Sequence, residues 1–298
     1  MRAKSRGLLA LDAGGTAIKL GLVPLSDSVR EVLDSEQMPM PSAGTAREIE
    51  EAFAAATSRG LELARLRGLE MVGVGVSTPE PFDFEAGVSL MKHKYASIFG
   101  LSVRDFITKA AGPLPVRFIH DAFAFLLGEL ALGLGAGARR PCIATLGTGL
   151  GFAGVVEGKL LKSPRGGPAA DVYRSPYRDG IAEDYASARA IARRYSDLGG
   201  AGAPSVKMMA ERAAAGDTLC ARVFEDTGSA LAEILLPQIE KNGFDLLILG
   251  GQIAKSGELL AAPTRRRLAE LGSLCRVAIA LRIDEAPILG AATAFFES

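Results

Sequence analysis

Apolar positions along the chain come in short blocks whose period changes repeatedly. "LLALDAGGTAIKLGLV" (8–23) holds two almost continuous apolar runs of strand length, separated by an acidic residue, two glycines and a threonine. From Thr45 the period lengthens. "TAREIEEAFAAATSRGLELARL" opens with Thr45 and Glu48 at capping-box spacing and then places apolar residues at helical intervals. "MVGVGVS" (71–77) is a β-branched run short enough to predict a buried strand. Ser102 is a helix cap for 102–111, and "VRFIHDAFAFLLGELALGLGAG" predicts a strand to His120 and a helix from about Asp121.

The second half repeats this scheme. "CIATLGTGLGFAGVVEGKL" (142–160) again reads strand, glycine corner, strand. Helices are predicted at about 183–195, 205–215 and 217–240, followed by a strand that runs into glycines, "DLLILGGQI" (245–253), matching 71–77. A strand over 276–283 and a helix over "APILGAATAFFES" (286–298) close the chain. The order of units therefore occurs twice. The pattern predicts duplicated α/β halves with a ligand cleft between them.

Composition narrows the function classes. The 298 residues are 48% hydrophobic and 23% charged, enough for a substantial core in one large domain or two modest ones. Lys plus Arg (34) equals Asp plus Glu (34), which argues against a protein built to grip nucleic-acid phosphates. The basic clusters Arg139-Arg140, Arg193-Arg194 and Arg265 to Arg267 are short and read as solvated helix faces. Cys142, Cys220 and Cys275 are odd in number, far apart and set in apolar runs, so they read as buried thiols. Arg2, Lys4 and Arg6 precede an apolar run that Asp12 interrupts, unlike a signal peptide. No run approaches the roughly 20 apolar residues needed to span a bilayer. A cytoplasmic protein without membrane or nucleic-acid partners is expected.

Three glycine corners carry the candidate chemistry: "DAGGT" (12–16), "LGTGLG" (146–151) and "LGGQ" (249–252). Glycine lets several amides face one side without an obstructing Cβ and tolerates positive φ, which suits a phosphate. Each corner taken alone also serves as a simple turn. The chain has no G-x-x-x-x-G-K-[ST], and "GTGLG" is followed by a strand rather than the helix a dinucleotide fold requires. Asp12 beside a phosphate cradle would repel its ligand unless a divalent cation intervened, and Mg²⁺ needs few protein ligands. Thr16 and Lys19 would add a hydroxyl and a positive charge, although Lys19 also fits a solvent-facing strand position. Asp121, where strand hands over to helix, is either a helix cap or a general base for phosphoryl transfer. Only two histidines exist; His93 reads as a packed or surface residue rather than a ligand, and His120 is placed for a substrate hydrogen bond. "MKHKYASIF" (91–99) is an exposed loop or a source of cations for a negatively charged substrate.

With these residues assembled, the chain resembles the ROK family of sugar kinases and repressors, of the actin-like, ribonuclease H-like ATPase superfamily. "LALDAGGTAIKLGLV" is similar to the family's first phosphate motif and "ATLGTGLGFAGVVEGKL" to its second. "IHDAFAFLLGE" resembles Asn-Asp-Ala-x-x-Ala-x-x-x-Gly-Glu, "LLILGGQI" the adenosine-side glycines, and "LGAATAFF" the closing helix. The resemblance implies two lobes around a cleft, with 1–118 joined by the helix 287–298 forming the smaller and 119–286 the larger. It implies ATP with Mg²⁺, the nucleotide contacted by Asp12, Gly14, Gly15, Thr16, Lys19, Gly147, Thr148, Gly149, Gly250 and Gly251, the metal held by Asp12 through water. Asp121 would be the catalytic base, and Pro79, Glu80, His120 and Asp171 would meet a sugar or polyol. A homodimer is suggested, with no interface legible.

The departures matter equally. The family's Glu-x-Gly-His and zinc-binding cysteine motif are replaced by "GGPAADVYRSPYRDGIAEDYASARAI", so no zinc is expected and Asp171 stands as the substitute carboxylate. The sugar-binding Asn has become His120, and the Gly-Pro-Gly-Pro loop reads "TPEPFD". The expectation is an ATP-dependent, glucokinase-like sugar kinase. A sugar-sensing protein without turnover and a polyphosphate-dependent kinase are the alternatives.

Overall fold

β1 (Ser5–Ala13) and β2 (Ala17–Pro24) form the opening hairpin, Gly7 facing Pro24 and Ala13 facing Ile18, with 14–16 left as the corner. The computed structural model describes residues 5–25 and 31–296; Arg2 and Lys4, like 297–298 of the expected last helix, lie outside the described residues. Leu8, Leu9, Leu11, Ile18, Leu20 and Leu22 are fully buried. Both faces of the hairpin are covered, which is why its apolar runs are continuous rather than alternating. β3 (Asp34–Pro39) pairs with β2 at the sheet edge. Its sequence, DSEQMP, carries no apolar period, and its residues are at most half-buried, so it was not foreseen.

α1 (Ala46–Leu66) begins at the expected capping box. The Glu48 amide donates to the Thr45 hydroxyl (3.3 Å) and the Thr45 amide to the Glu48 carboxylate (2.7 Å). β4 (Leu69–Thr78) leads to the two-residue strands β5 (Phe82–Asp83) and β6 (Val88–Ser89). α2 (Val103–Ala111) starts at its Ser102 cap, and β7 (Val116–His120) runs straight into α3 (Asp121–Ala131). The sheet order is β3-β2-β1-β4-β7, with β1, β4 and β7 parallel.

The second sheet repeats the plan. β8 (Pro141–Leu146) and β9 (Leu150–Val156) form a hairpin around the second glycine corner, and β10 (Lys159–Leu160) lies beside β9. A small hairpin of β11 (Pro176–Tyr177) and β12 (Gly180–Ile181) precedes α4 (Ala188–Asp197), α5 (Val206–Ala214) and α6 (Thr218–Asn242). β13 (Leu246–Gly250), α7 (Glu258–Glu270) and β14 (Arg276–Ile279) follow. The order β10-β9-β8-β13-β14, with β8, β13 and β14 parallel, reproduces that of the first sheet. The expected duplication is therefore present strand for strand.

Two boundaries and one helix differ from expectation. α4 begins at Ala188 rather than near 183, because 182–184 make a 3₁₀ turn and Ser187 provides the helix cap. β14 ends at Ile279 rather than 283. α7 was unforeseen: Pro263 and three consecutive arginines obscure the spacing of its buried Leu260, Ala261, Thr264 and Leu268.

The chain divides into two compact units, each with its own core. The first runs to Leu134 and includes Lys162–Pro168 and the chain from Asp284; the second is Gly135–Leu161 with Ala169–Ile283. The division falls after Leu134 rather than after residue 118, because α3 packs in the first unit on the last helix, α8 (Ala286–Ala294). These helices touch through glycine. A Cβ on Gly128 would run into the backbone of Ala286, and one on Gly290 into the backbone of Ala124. Gly290→Ala should therefore destabilise the protein despite about 1 kcal/mol of gained helix propensity. Urea unfolding decides the sign; a variant more stable than the parent would contradict this helix contact.

Candidate active site

Register alone concentrates polar groups at one edge of the first sheet. Asp12 of β1 lies beside Ser77 of β4, and Thr78 beside His120 of β7. These are the carboxyl ends of three neighbouring parallel strands, the edge at which α/β sheets expose reactive groups. Pro79 and Glu80 continue from β4 and Asp121 continues from β7. Asp12, Pro79, Glu80, His120 and Asp121 thus all belong to one edge.

The first glycine corner is held from one side. The Tyr95 hydroxyl donates to the Gly14 carbonyl (2.5 Å), the Ser42 hydroxyl to the Gly15 carbonyl, and the Met40 amide to the Thr16 carbonyl (3.0 Å). The three donors form one patch: the Ser42 amide bonds to the Met40 carbonyl and the Tyr95 amide to the Ser42 carbonyl, each at 2.9 Å. In a trans peptide the carbonyl and the following N–H point in opposite directions. Fixing these carbonyls therefore turns the amides of Gly15 and Thr16 outward, making an anion cradle. Positive φ plays no part here, contrary to one of the reasons expected for glycine. Among the corner residues only Gly251 has it (φ 80°).

Asp12 is electrostatically strained. Burial and the nearby Asp121 push its carboxyl up to about 6, against the opposing pull of the Ser77 hydroxyl, which donates to Oδ1 (2.9 Å), and of Lys19. Lys19 stands opposite Asp12 on β2, but its ammonium forms an ion pair with Asp284 at 3.4 Å. The Asp121 side chain is 46% exposed. The alternative role expected of it, helix capping, is shared: the Ala122 amide approaches both Asp121 Oδ1 (2.6 Å) and His120 Nδ1 (3.1 Å). His120 Nδ1 also lies 3.1 Å from Asp121 Oδ1, and its Nε2 faces Glu80 Oε1 at 3.9 Å. His120 is buried between the edges of Phe84 and Phe123. The Glu80 carboxylate lies against Gly167, where a side chain would displace it.

In the second unit, Thr148 is exposed at the tip of the β8–β9 corner, between Gly147 and Gly149. The Glu183 carboxylate accepts from the Leu150 amide (3.1 Å) and lies against Gly149, leaving no room there for a Cβ. Gly251, following Gly250 of β13, abuts the Leu146 backbone, so these two glycine corners touch. Asp171 is also in this unit, exposed before a 3₁₀ turn and without a capping bond.

Ser42, Tyr95, Ser77 and Glu183 were not singled out from sequence. Only Tyr95 carried a signal, as the aromatic residue within the basic loop 91–99. The elevated Asp12 carboxyl has a measurable consequence. Because its native-state value is raised, the folded protein binds a proton that the unfolded chain releases between about pH 4 and 6, so this group's ionisation lowers stability as pH rises through that window. Asp12→Asn, in the absence of divalent cation and nucleotide, is expected to be more stable than the parent at pH 7.5, by on the order of 1–3 kcal/mol, with a smaller advantage at pH 4. Chemical denaturation at both pH values measures this; a variant less stable at pH 7.5 would contradict it.

Comparison with known proteins agrees with this arrangement. The sequence matches the ROK family over residues 8–297. A glucokinase of Thermotoga maritima is 26% identical, with 96% of each chain covered. A ROK hexokinase from Thermus thermophilus is 26% identical, with 98% of each chain covered and a TM-score of 0.75. A Streptomyces griseus ROK glucokinase, solved with glucose and AMPPNP, is 24% identical and shares the fold, with a TM-score of 0.80 over 97% of this chain and 98% of that one. The duplicated α/β sheets and the ordered glycine corners are those of the actin-like kinases, and the chain belongs to the ROK family.

Proposed function

We propose that this protein transfers a phosphoryl group from ATP to a hydroxyl of a sugar or sugar-like polyol. The observation that carries the reading is the single sheet edge that brings Asp12 and Asp121 together beside the outward-turned amides of Gly15 and Thr16. Its kinase relatives, a glucokinase and a hexokinase, support the reaction class.

Phosphoryl transfer asks a protein mainly to position the reactants and to stabilise charge. The amides of Gly15 and Thr16 would receive phosphate oxygens of the nucleotide, with Gly14, whose amide donates to the Ala17 carbonyl (2.9 Å), closing the turn beneath them. Gly147, Thr148, Gly149, Gly250 and Gly251 are assigned to the nucleotide from the glycine corners they form at the ends of β8 and β13. Among the described residues no group of three or more His, Cys, Asp or Glu is placed to hold a metal. A single elevated carboxyl fits a Mg²⁺ that keeps its waters, and Asp12 would hold it through one of them. When bound, that ion neutralises charge on the phosphates. Asp121, half-exposed at the strand–helix junction, would accept the proton of the attacking hydroxyl.

Glu80 and His120, with Pro79 beside them, would orient the acceptor, and the phenylalanines around His120 exclude water from that side. Against Gly167, Glu80 presents a carboxylate to a segment whose sequence lacks the family's Glu-x-Gly-His. We assign the lost sugar contact to Glu80 rather than to the exposed Asp171.

Two substitutions test these roles. Asp121→Asn should lower kcat by about 10²–10⁴ in a coupled ADP-release assay while leaving affinity for an ATP analogue unchanged. Sugar-dependent turnover at the parent rate would remove Asp121 from the mechanism, and sugar binding without any turnover in the parent would favour a sensor. Glu80→Gln should raise the acceptor KM about tenfold and spare the KM for ATP. An unchanged acceptor KM would return the role to another carboxylate.

A further inference from the structure

The segment 91–95 packs against the first glycine corner. Tyr95 is buried, carries a left-handed backbone (φ 53°), and is fixed at both ends, its amide on the Ser42 carbonyl and its hydroxyl on the Gly14 carbonyl. A non-glycine residue holds that conformation only where its surroundings impose it. The residue before it is thereby carried onto the first glycine corner. Lys94 is half-buried, and its Cδ and Cε each pass 4.0 Å from the position a Cβ would take on Gly15. Lys94 has no ion-pair partner among the described residues, whereas the Lys19 ammonium is drawn to Asp284. Lys92, by contrast, is exposed and rests over the Phe99 ring, 5.1 Å from its centroid.

A corner with Asp12 and Asp121 beside it needs a mobile cation to admit a polyphosphate. We propose that Lys94 is that cation, and that its ammonium binds the terminal phosphates of the nucleotide at Gly15, the role expected from sequence for Lys19. This inference rests on the kinase reading and adds a residue to it. It also implies that the 91–95 loop and the corner for the donor phosphates are mechanically one piece, since Tyr95 and Lys94 are adjacent.

Calorimetry on the full-length protein with Mg²⁺ tests it, using a non-hydrolysable ATP analogue and AMP as probes. Lys94→Ala should weaken the analogue about tenfold and leave AMP, which lacks the terminal phosphates, unchanged. Lys94→Arg should recover most of the affinity, and Lys92→Ala should match the parent. Equal weakening of analogue and AMP would mean a structural role and overturn the proposal. Unchanged analogue affinity with a raised acceptor KM would also overturn it, placing Lys94 on an anionic acceptor instead. If the parent itself binds no nucleotide, the kinase reading fails and this inference with it; if the parent binds and Lys94→Ala binds equally, only the inference fails.

Discussion

The first glycine corner is organised by what happens to its carbonyls. Those of Gly14, Gly15 and Thr16 are claimed by Tyr95, Ser42 and Met40, and the planar trans peptide then leaves the amides of Gly15 and Thr16 no choice but to face the other way. The cradle is therefore made from behind. It depends on a hairpin anchored by fully buried leucines, because a corner that moved with its strands could not hold three separate bonds. The same hairpin places Asp12 at the strand end beside Ser77, and β4 in turn sets the register of His120 on β7.

This edge is costly to build. Burial, with Asp121 nearby, holds the Asp12 carboxyl above its usual range, and the nearest lysine on β2 leans toward Asp284. Such a surplus of negative charge has no use in a folded chain alone, and it makes sense where a cation and a phosphate arrive together. The acceptor side follows a different logic. Phe84 and Phe123 pack against a single imidazole, with Phe82 and Phe118 behind Phe84, so that the polar contacts available are few and directional.

Much of this was legible in the chain because its signals are local. Thr45 and Glu48 form the box that their spacing announced, and the strand–corner–strand units became matching hairpins in two sheets of identical order. Asp121 proved to be the first residue of α3, at the junction where strand gives way to helix. What escaped was non-local. Ser42 and Tyr95 reach the corner across 27 and 81 residues, and nothing in the neighbouring sequence marks either as its support. α7 was hidden for the opposite reason, since local breakers and charges at Pro263 and Arg265 to Arg267 mask apolar positions that tertiary packing buries. Lys19 shows the limit of motif reading, for its strand position matches expectation while its ammonium turns to a residue 265 positions away.

The orientation of the amides is the claim on which the functional account stands, and amide chemical shifts report it directly. In ¹⁵N-labelled protein with Mg²⁺, adding a non-hydrolysable ATP analogue should shift the Gly15 and Thr16 amides strongly, while AMP leaves them nearly still. The Ser42→Ala variant, which releases the Gly15 carbonyl, should lose part of that response. If the analogue binds and these two amides do not move, the outward-facing cradle is not where the phosphates lie, and the account is wrong at its root.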